Sequence, residues 1–405
     1  MRSSKTIQML LATALVLGLG IILIVWAVPY LARTFSPVRS AEQVGYDSST
    51  VRAEVIEIIE EGQITLGGQA QTFQVFLARV VEGDYLGQII EVDYGLRQVR
   101  PEGADVRLGE QVLLSIGQRP DGEQVAFFID FIRSGSLLQL FLVFVLISVL
   151  IGGWKGFRGL IGIAFSLGVI IFFILPQILD GKDPVLVVLA GSFIFLSVSL
   201  YLVYGWNLKT HSAVLGILIS LVITGGLAVF FVGFTRLTGF GDENTMFLVQ
   251  MVDKPIDLRG LLLGGMIIGA LGVLDDLVIS QASAVFELHG VNPDLKLSYL
   301  YKRAMNIGRD HVAATVNTLV LAYTGAALPM LLLFSLSDQN LGLVINMGYI
   351  SEEIVRTLVG SIGLFASVPI TTGLACLAAV HADRLGKFRA FFGPENSSGG
   401  HSHGH

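Results

Sequence analysis

Two adjacent carboxylates, Asp275 and Asp276, sit near the middle of Gly264–Glu287, a stretch long and apolar enough to cross a bilayer. An acidic side chain at that depth costs roughly 2.5–3.5 kcal/mol on insertion scales, so such residues usually face a bundle interior, a partner or a water-filled path. The chemistry this suits is exchange of a proton or cation. Desolvation favours a neutral carboxyl, whereas a nearby hydroxyl, amide or cation favours the charged one. A helix that moves its carboxyl between two such environments couples protonation to motion. The same residues also read as structural, with the carboxyls neutral or hydrogen-bonded and fixing helix packing.

Wound as a helix, Gly265, Gly269, Gly272, Asp276, Ser280, Ser283 and Glu287 share one stripe. Ile268, Leu271, Val278, Ile279 and Ala282 occupy neighbouring lines, and Asp275 sits at the border. The pair Gly265 and Gly269, extended by Gly272, predicts close approach of a neighbouring helix. Downstream, Val312–Phe334 opens with Thr315, Asn317 and Thr318, and the last apolar segment carries Ser361, Ser367, Thr371 and Thr372. With Ser280 and Ser283 these are candidates to line a polar path to Asp275 and Asp276. Taken singly, each such hydroxyl or amide reads as an interhelical hydrogen bond.

Proteolysis is not expected, because an aspartyl dyad needs two carboxylates that share a proton. Adjacent helical residues point about 100° apart. Zinc signatures, nucleophile elbows and Walker loops are missing from the sequence as well. No catalytic residue, resident metal or cofactor is therefore expected, and the chain is not read as an enzyme. The tail Gly399–His405 holds three of the seven histidines, but it offers no supporting shell for a metal.

The elements that position these groups follow from composition. Of 405 residues, 53% are hydrophobic and only 14% charged, with a mean hydropathy of +0.71. Soluble chains carry about 25% charged residues, so a polytopic α-helical membrane protein is expected, its partner the lipid bilayer. The single cysteine, Cys376, excludes an intramolecular disulfide, and the net charge of −6 argues against nucleic acid. Apolar runs near Ile7–Pro29, Leu137–Gly153, Leu160–Leu179, Val185–Tyr204, Ala213–Phe234, Gly260–Phe286, Val312–Phe334 and Ile354–Val380 predict about eight spans. The first run is longer than a signal peptide's apolar region of about 7–15 residues, which predicts an uncleaved anchor.

Between the first two runs the composition changes. Val51–Ile59, Thr72–Val81, Gln88–Tyr94, Gln111–Ile116 and Gln124–Ile132 read as strands, with turn chemistry at Gly67-Gly68 and Pro120-Asp121-Gly122. Five short strands suit a small OB-like β-barrel. From Pro37 to Arg133 there are 16 Asp and Glu against eight Arg and no Lys, so a docking, gating or spacing role is expected for this module. The expected organisation is an anchor at 1–33, an acidic β domain at 34–135, a seven-helix core at 136–381 and a tail at 382–405. Lys and Arg divide twelve to five in favour of one side. That division predicts both termini in the cytoplasm and the β domain on the outer side of the membrane. The loop Gly239–Asp257 then falls outside, as an interfacial or re-entrant segment or a plain loop.

Two resemblances attach to these residues. The order of anchor, β domain and membrane core, with GALGVLDDLVISQASAVFEL and RDHVAATVNTLVLAYTGAALPML in the core, resembles the YibE/F family of bacterial multi-span proteins. More distantly, the two blocks look like the core of SecD, SecF and the resistance-nodulation-division exporters. There a glycine-rich span bears Asp or Asp-Asp, and a basic loop and a Thr-Asn-Thr-like span follow. The counterparts here are Gly272–Asp276, Tyr301-Lys302-Arg303-Ala304 and Thr315–Leu319. That likeness implies proton-relay roles for Asp275 and Asp276. The chain departs from those exporters in a smaller outer module and in seven spans after it where they have five. It also has no intramembrane lysine to partner the aspartates.

Two functions stay open at this point. One is a transporter or secretion-related machine driven by protons or cations; the other is a non-transporting envelope assembly protein whose β domain docks a partner.

Overall fold

The computed structural model describes residues 49–83, 85–118, 124–252, 254–336 and 340–382, and they fall into two compact units that meet between Ile147 and Ser148. The anchor run, the Pro120-Asp121-Gly122 turn and the histidine tail lie outside the described residues.

The first unit contains a closed five-stranded barrel. Its strands are β1 (Ser49–Leu66), β2 (Gln69–Val80), β3 (Ile89–Tyr94), β4 (Gln111–Gln118) and β5 (Gln124–Phe131), ordered β1-β2-β3-β5-β4. All neighbours are antiparallel except β3 and β5. Alternation drives this: Val51, Ala53 and Val55 point inward with Val112, Leu114 and Ile116, whereas Arg52 faces solvent. Gly67 and Gly68 both take positive φ, 60° and 84°, as a tight two-residue hairpin requires. Phe76, Val92 and Phe128 fill the interior.

The connection from Gly95 to Glu110 is pinned to β2 by two glutamines. Gln71 donates to the carbonyls of Gly95 (2.6 Å) and Gln98 (2.9 Å) and accepts from the Arg100 amide (3.1 Å). Gln74 exchanges bonds with both backbone groups of Val106. Arg100 is thereby buried over the Tyr94 ring, 4.8 Å from its centre, and pairs with Asp105.

Burial pushes the Tyr94 phenol above its ordinary value, against the opposing pull of Arg100. A folded-state value above the unfolded one gives stability that is present at neutral pH and lost as pH rises through about 10. Tyr94→Phe is therefore expected to blunt the alkaline loss of barrel protection, read by hydrogen exchange across a pH series. Equal alkaline loss in both proteins would contradict this.

The second unit is helical. One helical stretch, Ser134–Leu179, begins in the first unit and continues into the second: α1 (Ser134–Val169), a π-turn (Ile170–Ile174) and α2 (Leu175–Leu179). Its 46 residues would measure about 70 Å as a straight helix, twice a bilayer's apolar thickness. Gly153, at φ 55° and ψ −136°, breaks it. The two spans expected here are thus joined in one bent stretch.

After it come α3 (Pro184–Tyr204), α4 (Leu208–Phe234), α5 (Glu243–Met251), α6 (Leu258–Val291), α7 (Leu297–Ala326), α8 (Leu328–Leu336), α9 (Leu341–Val344) and α10 (Gly348–Val380). Asp183, Asn207 and Asp257 cap α3, α4 and α6 through their side chains. Among the described residues five helices are long and apolar enough to span a bilayer. The α7–α8 pair, bent by 62° ahead of Pro329, makes a sixth if it is one span.

The helices α4, α6 and α10 form the centre, with α3 and α7 against α6. One end of the bundle gathers the Asp180–Lys254 pair (3.1 Å), the start of α3 at Pro184 beside Gly260 of α6, and Glu352 of α10. At the other end Lys155 and Glu287 are each within electrostatic reach of Lys209. The Gly239–Asp257 loop folds into α5 and is tied down by Glu352. That buried carboxylate accepts from the Gly241 amide (3.3 Å) and from Gly239.

Candidate functional site

Both aspartates lie on α6, the most deeply buried of the five long apolar helices. Asp275 is half-buried between Leu274 and Leu277, themselves 0% and 1% exposed. Its Oδ1 is enclosed and has no hydrogen-bond partner among the described residues. Asp276, one step round the helix, is exposed. Tyr204, at the end of α3, stands within electrostatic reach of both. The ring of Tyr204 lies 5.9 Å beneath the ammonium of Lys209, which is only 7% exposed. The pair therefore offers two environments on one helix: an enclosed carboxyl and an open one.

Among the described residues the stripe expected to pack lies largely open. Gly265 and Gly272 are exposed, and a Cβ at either would meet no described neighbour within 4 Å; at Gly269 it would meet the Tyr323 hydroxyl at 3.4 Å. Asp276 and Glu287 are exposed too, while Ser280 and Ser283 are half-buried. The apolar line is the one that packs: Leu271, Leu274, Val278 and Val285 are all at most 1% exposed. Apolar contacts with α3, α4 and α10 bury more surface than the small-residue stripe offers, so they set the rotation of α6.

Close helix approach falls on other glycines. A Cβ on Gly264 would sit 3.0 Å from Val188 of α3, and one on Gly308 of α7 would sit 2.5 Å from Val368 and 2.8 Å from Gln281. Gly216 abuts Thr371, and Gly363 abuts Thr224.

The candidate polar path divides into two sets. Thr315 and Thr318 return their hydroxyls to their own helix, at His311 (2.8 Å) and Ala314 (3.0 Å), and Asn317 and Thr318 are exposed. The structure does not enclose this trio with Asp276. Ser367, Thr371 and Thr372 of α10 are fully buried, opposite Ser220 and Thr224 of α4. At their edge lies Gln281 of α6, 1% exposed. Its Nε2 donates to Ala304 O of α7 (3.0 Å) and to Thr372 Oγ1 of α10 (2.7 Å). One side chain thus ties the aspartate helix to two neighbours.

Among the described residues no group of three or more His, Cys, Asp or Glu is arranged to hold a metal.

Residues 140–381, more than half of the chain, match the family of YibE/F-like proteins. The chain belongs to that family. No curated protein and no solved structure matches it. The YibE/F-like region starts inside α1 and ends just past α10. It holds both sequence blocks and every site residue above, and the barrel precedes it.

Within this YibE/F-like core the residue that sequence reasoning missed is Gln281. A signal was present. Positions 271, 274, 278, 281 and 285 form one helical line, and Gln281 is the single polar residue on it. Glu352 and Lys209 were also passed over, because each lies at a span end where a charge is unremarkable.

Gln281→Leu keeps the volume and removes both interhelical bonds. At about 0.6 kcal/mol each, with a ceiling near 1.7, it is expected to lower stability by about 1–2 kcal/mol. Thermal unfolding in detergent reads this; an unchanged midpoint would mean the bonds carry no stability.

Proposed function

We propose that this YibE/F-like protein is a proton- or cation-coupled transporter or secretion-related machine, in which Asp275 and Asp276 bind and release the coupling ion. In this reading it has about eight spans, with both termini in the cytoplasm and an OB-like barrel outside the plasma membrane. The barrel order β1-β2-β3-β5-β4, with its parallel β3–β5 pair, supports the OB-like assignment. The break at Gly153 supports counting two spans in Ser134–Leu179.

The observation that carries the proposal is the enclosed, unpartnered Oδ1 of Asp275 beside the exposed Asp276. A buried oxygen without a donor loses about 1–3 kcal/mol of hydrogen bonding that any movement supplying a donor or water restores. One charge moving through 100 mV gains about 2.3 kcal/mol. These magnitudes are comparable, so a membrane potential suffices to bias a two-state bundle. Hydroxyls and glycines along α4, α7 and α10 give that bundle close contacts able to slide.

A pH jump applied to protein adsorbed on a solid-supported membrane tests the ion-binding step. Wild type is expected to give a transient current that Asp276→Asn abolishes. An identical current in the variant would contradict the assignment. It would leave the second reading, an envelope assembly protein docking through exposed barrel residues such as Phe127 and Ile129, each more than 40% exposed.

A further inference from the structure

We propose that the end of the barrel from which α1 emerges rests in the lipid headgroup layer, with Val99 and Leu108 inserted into it. This rests on the membrane reading of the apolar helices but not on ion coupling. Only Ile132 and Arg133 separate β5 from α1, a reach of about 7 Å. That linker is also held. The Ile132 amide donates to Gln111 O (3.2 Å), and the Leu137 amide donates to Arg133 O (2.9 Å). Because β5 runs toward this end, the barrel cannot stand far from where α1 enters the bilayer.

The connection from Gly95 to Glu110 leaves β3 and enters β4 at this same end, where Gln111 opens β4 beside Phe131 of β5. On it Val99 is 79% exposed and Leu108 66%. Gln71 and Gln74 staple this connection to β2, and buried Arg100 anchors it over Tyr94, so both apolar side chains are displayed by a fixed segment. Single exposed apolar residues are ordinary on a water-facing surface. Two on one stapled segment, at the barrel end that a two-residue linker joins to a membrane helix, fit an interfacial contact.

The acidic excess of the barrel, 16 carboxylates to eight arginines over Pro37–Arg133, disfavours attraction to anionic lipid. The surface is therefore assigned to zwitterionic headgroups, with Arg107 beside Leu108 free to extend to phosphate.

Leu86 provides a matched control. It is 67% exposed, but it lies in the β2–β3 turn at the opposite end of the barrel. Full-length Val99→Cys, Leu108→Cys and Leu86→Cys would each carry an environment-sensitive fluorophore in phosphatidylcholine vesicles doped with headgroup-nitroxide lipid. Native Cys376 is buried, and unsubstituted protein reports any background labelling. Positions 99 and 108 are expected to show blue-shifted emission and to lose intensity to the nitroxide, while position 86 keeps its own. Equal quenching at all three sites, or none at 99 and 108, would overturn the proposal. Neither result bears on proton flux, so the two proposals fail separately.

Discussion

Asp275→Asn is expected to abolish coupled ion movement while leaving the protein at least as stable as wild type. The Oδ1 of Asp275 is enclosed with no donor among the described residues, and a buried acceptor left unpaired costs about 1–3 kcal/mol. Asparagine preserves the shape, carries no charge to desolvate and brings a donor of its own. A gain of stability with a loss of activity is the mark of a residue retained for function. The experiment pairs a detergent thermal melt with the charge-movement assay on one preparation. A variant that unfolds earlier and also loses activity would make Asp275 a structural residue.

The second large effect falls on a glycine. Gly308→Val would place a Cβ 2.5 Å from Val368 Cγ1 and 2.8 Å from Gln281 Oε1, at the point where α7 meets α6 and α10. Neither neighbour has room to withdraw, since Val368 is 2% exposed and Gln281 1%. Overpacking of this kind costs about 1–3 kcal/mol and occasionally more. Loss of the Gln281 bonds to Ala304 and Thr372 would add to it. Gly265→Val is the contrast, because among the described residues no neighbour lies within 4 Å of a Cβ there. Thermal unfolding is expected to separate the two variants clearly. Equal midpoints would mean that close packing runs along Gly265 and Gly269 after all.

That contrast also shows where reading the sequence stops. Period-two alternation marks each barrel strand, because one face of every strand is buried. The five expected strands therefore fall within or close to the observed ones, with β1 extended to Leu66 by its hairpin. The long apolar runs after the barrel were equally legible, since backbone satisfaction in lipid demands long helices.

Which face of a helix turns inward was not legible. In α6 a stripe of glycine, serine and carboxylate suggests a packed interior. The competing line through Leu271, Leu274, Val278 and Val285 won, and left Gly265, Gly272 and Asp276 outward. Residue types alone do not say which neighbour is present to be packed against. The same limit applies to Thr315 and Thr318: a threonine in a helix satisfies its own hydroxyl on the preceding turn as readily as it crosses to another helix. Gln281 was the legible exception, one amide on an otherwise apolar line.

Proton flux in proteoliposomes tests the central claim most directly. Purified wild type and the Asp275→Asn/Asp276→Asn double variant would be reconstituted at equal density with an internal pH dye, and a membrane potential imposed on both. Ion coupling through the aspartate pair predicts a pH change in wild type that vanishes in the double variant. Equal traces from the two proteins would contradict it and make the aspartates structural.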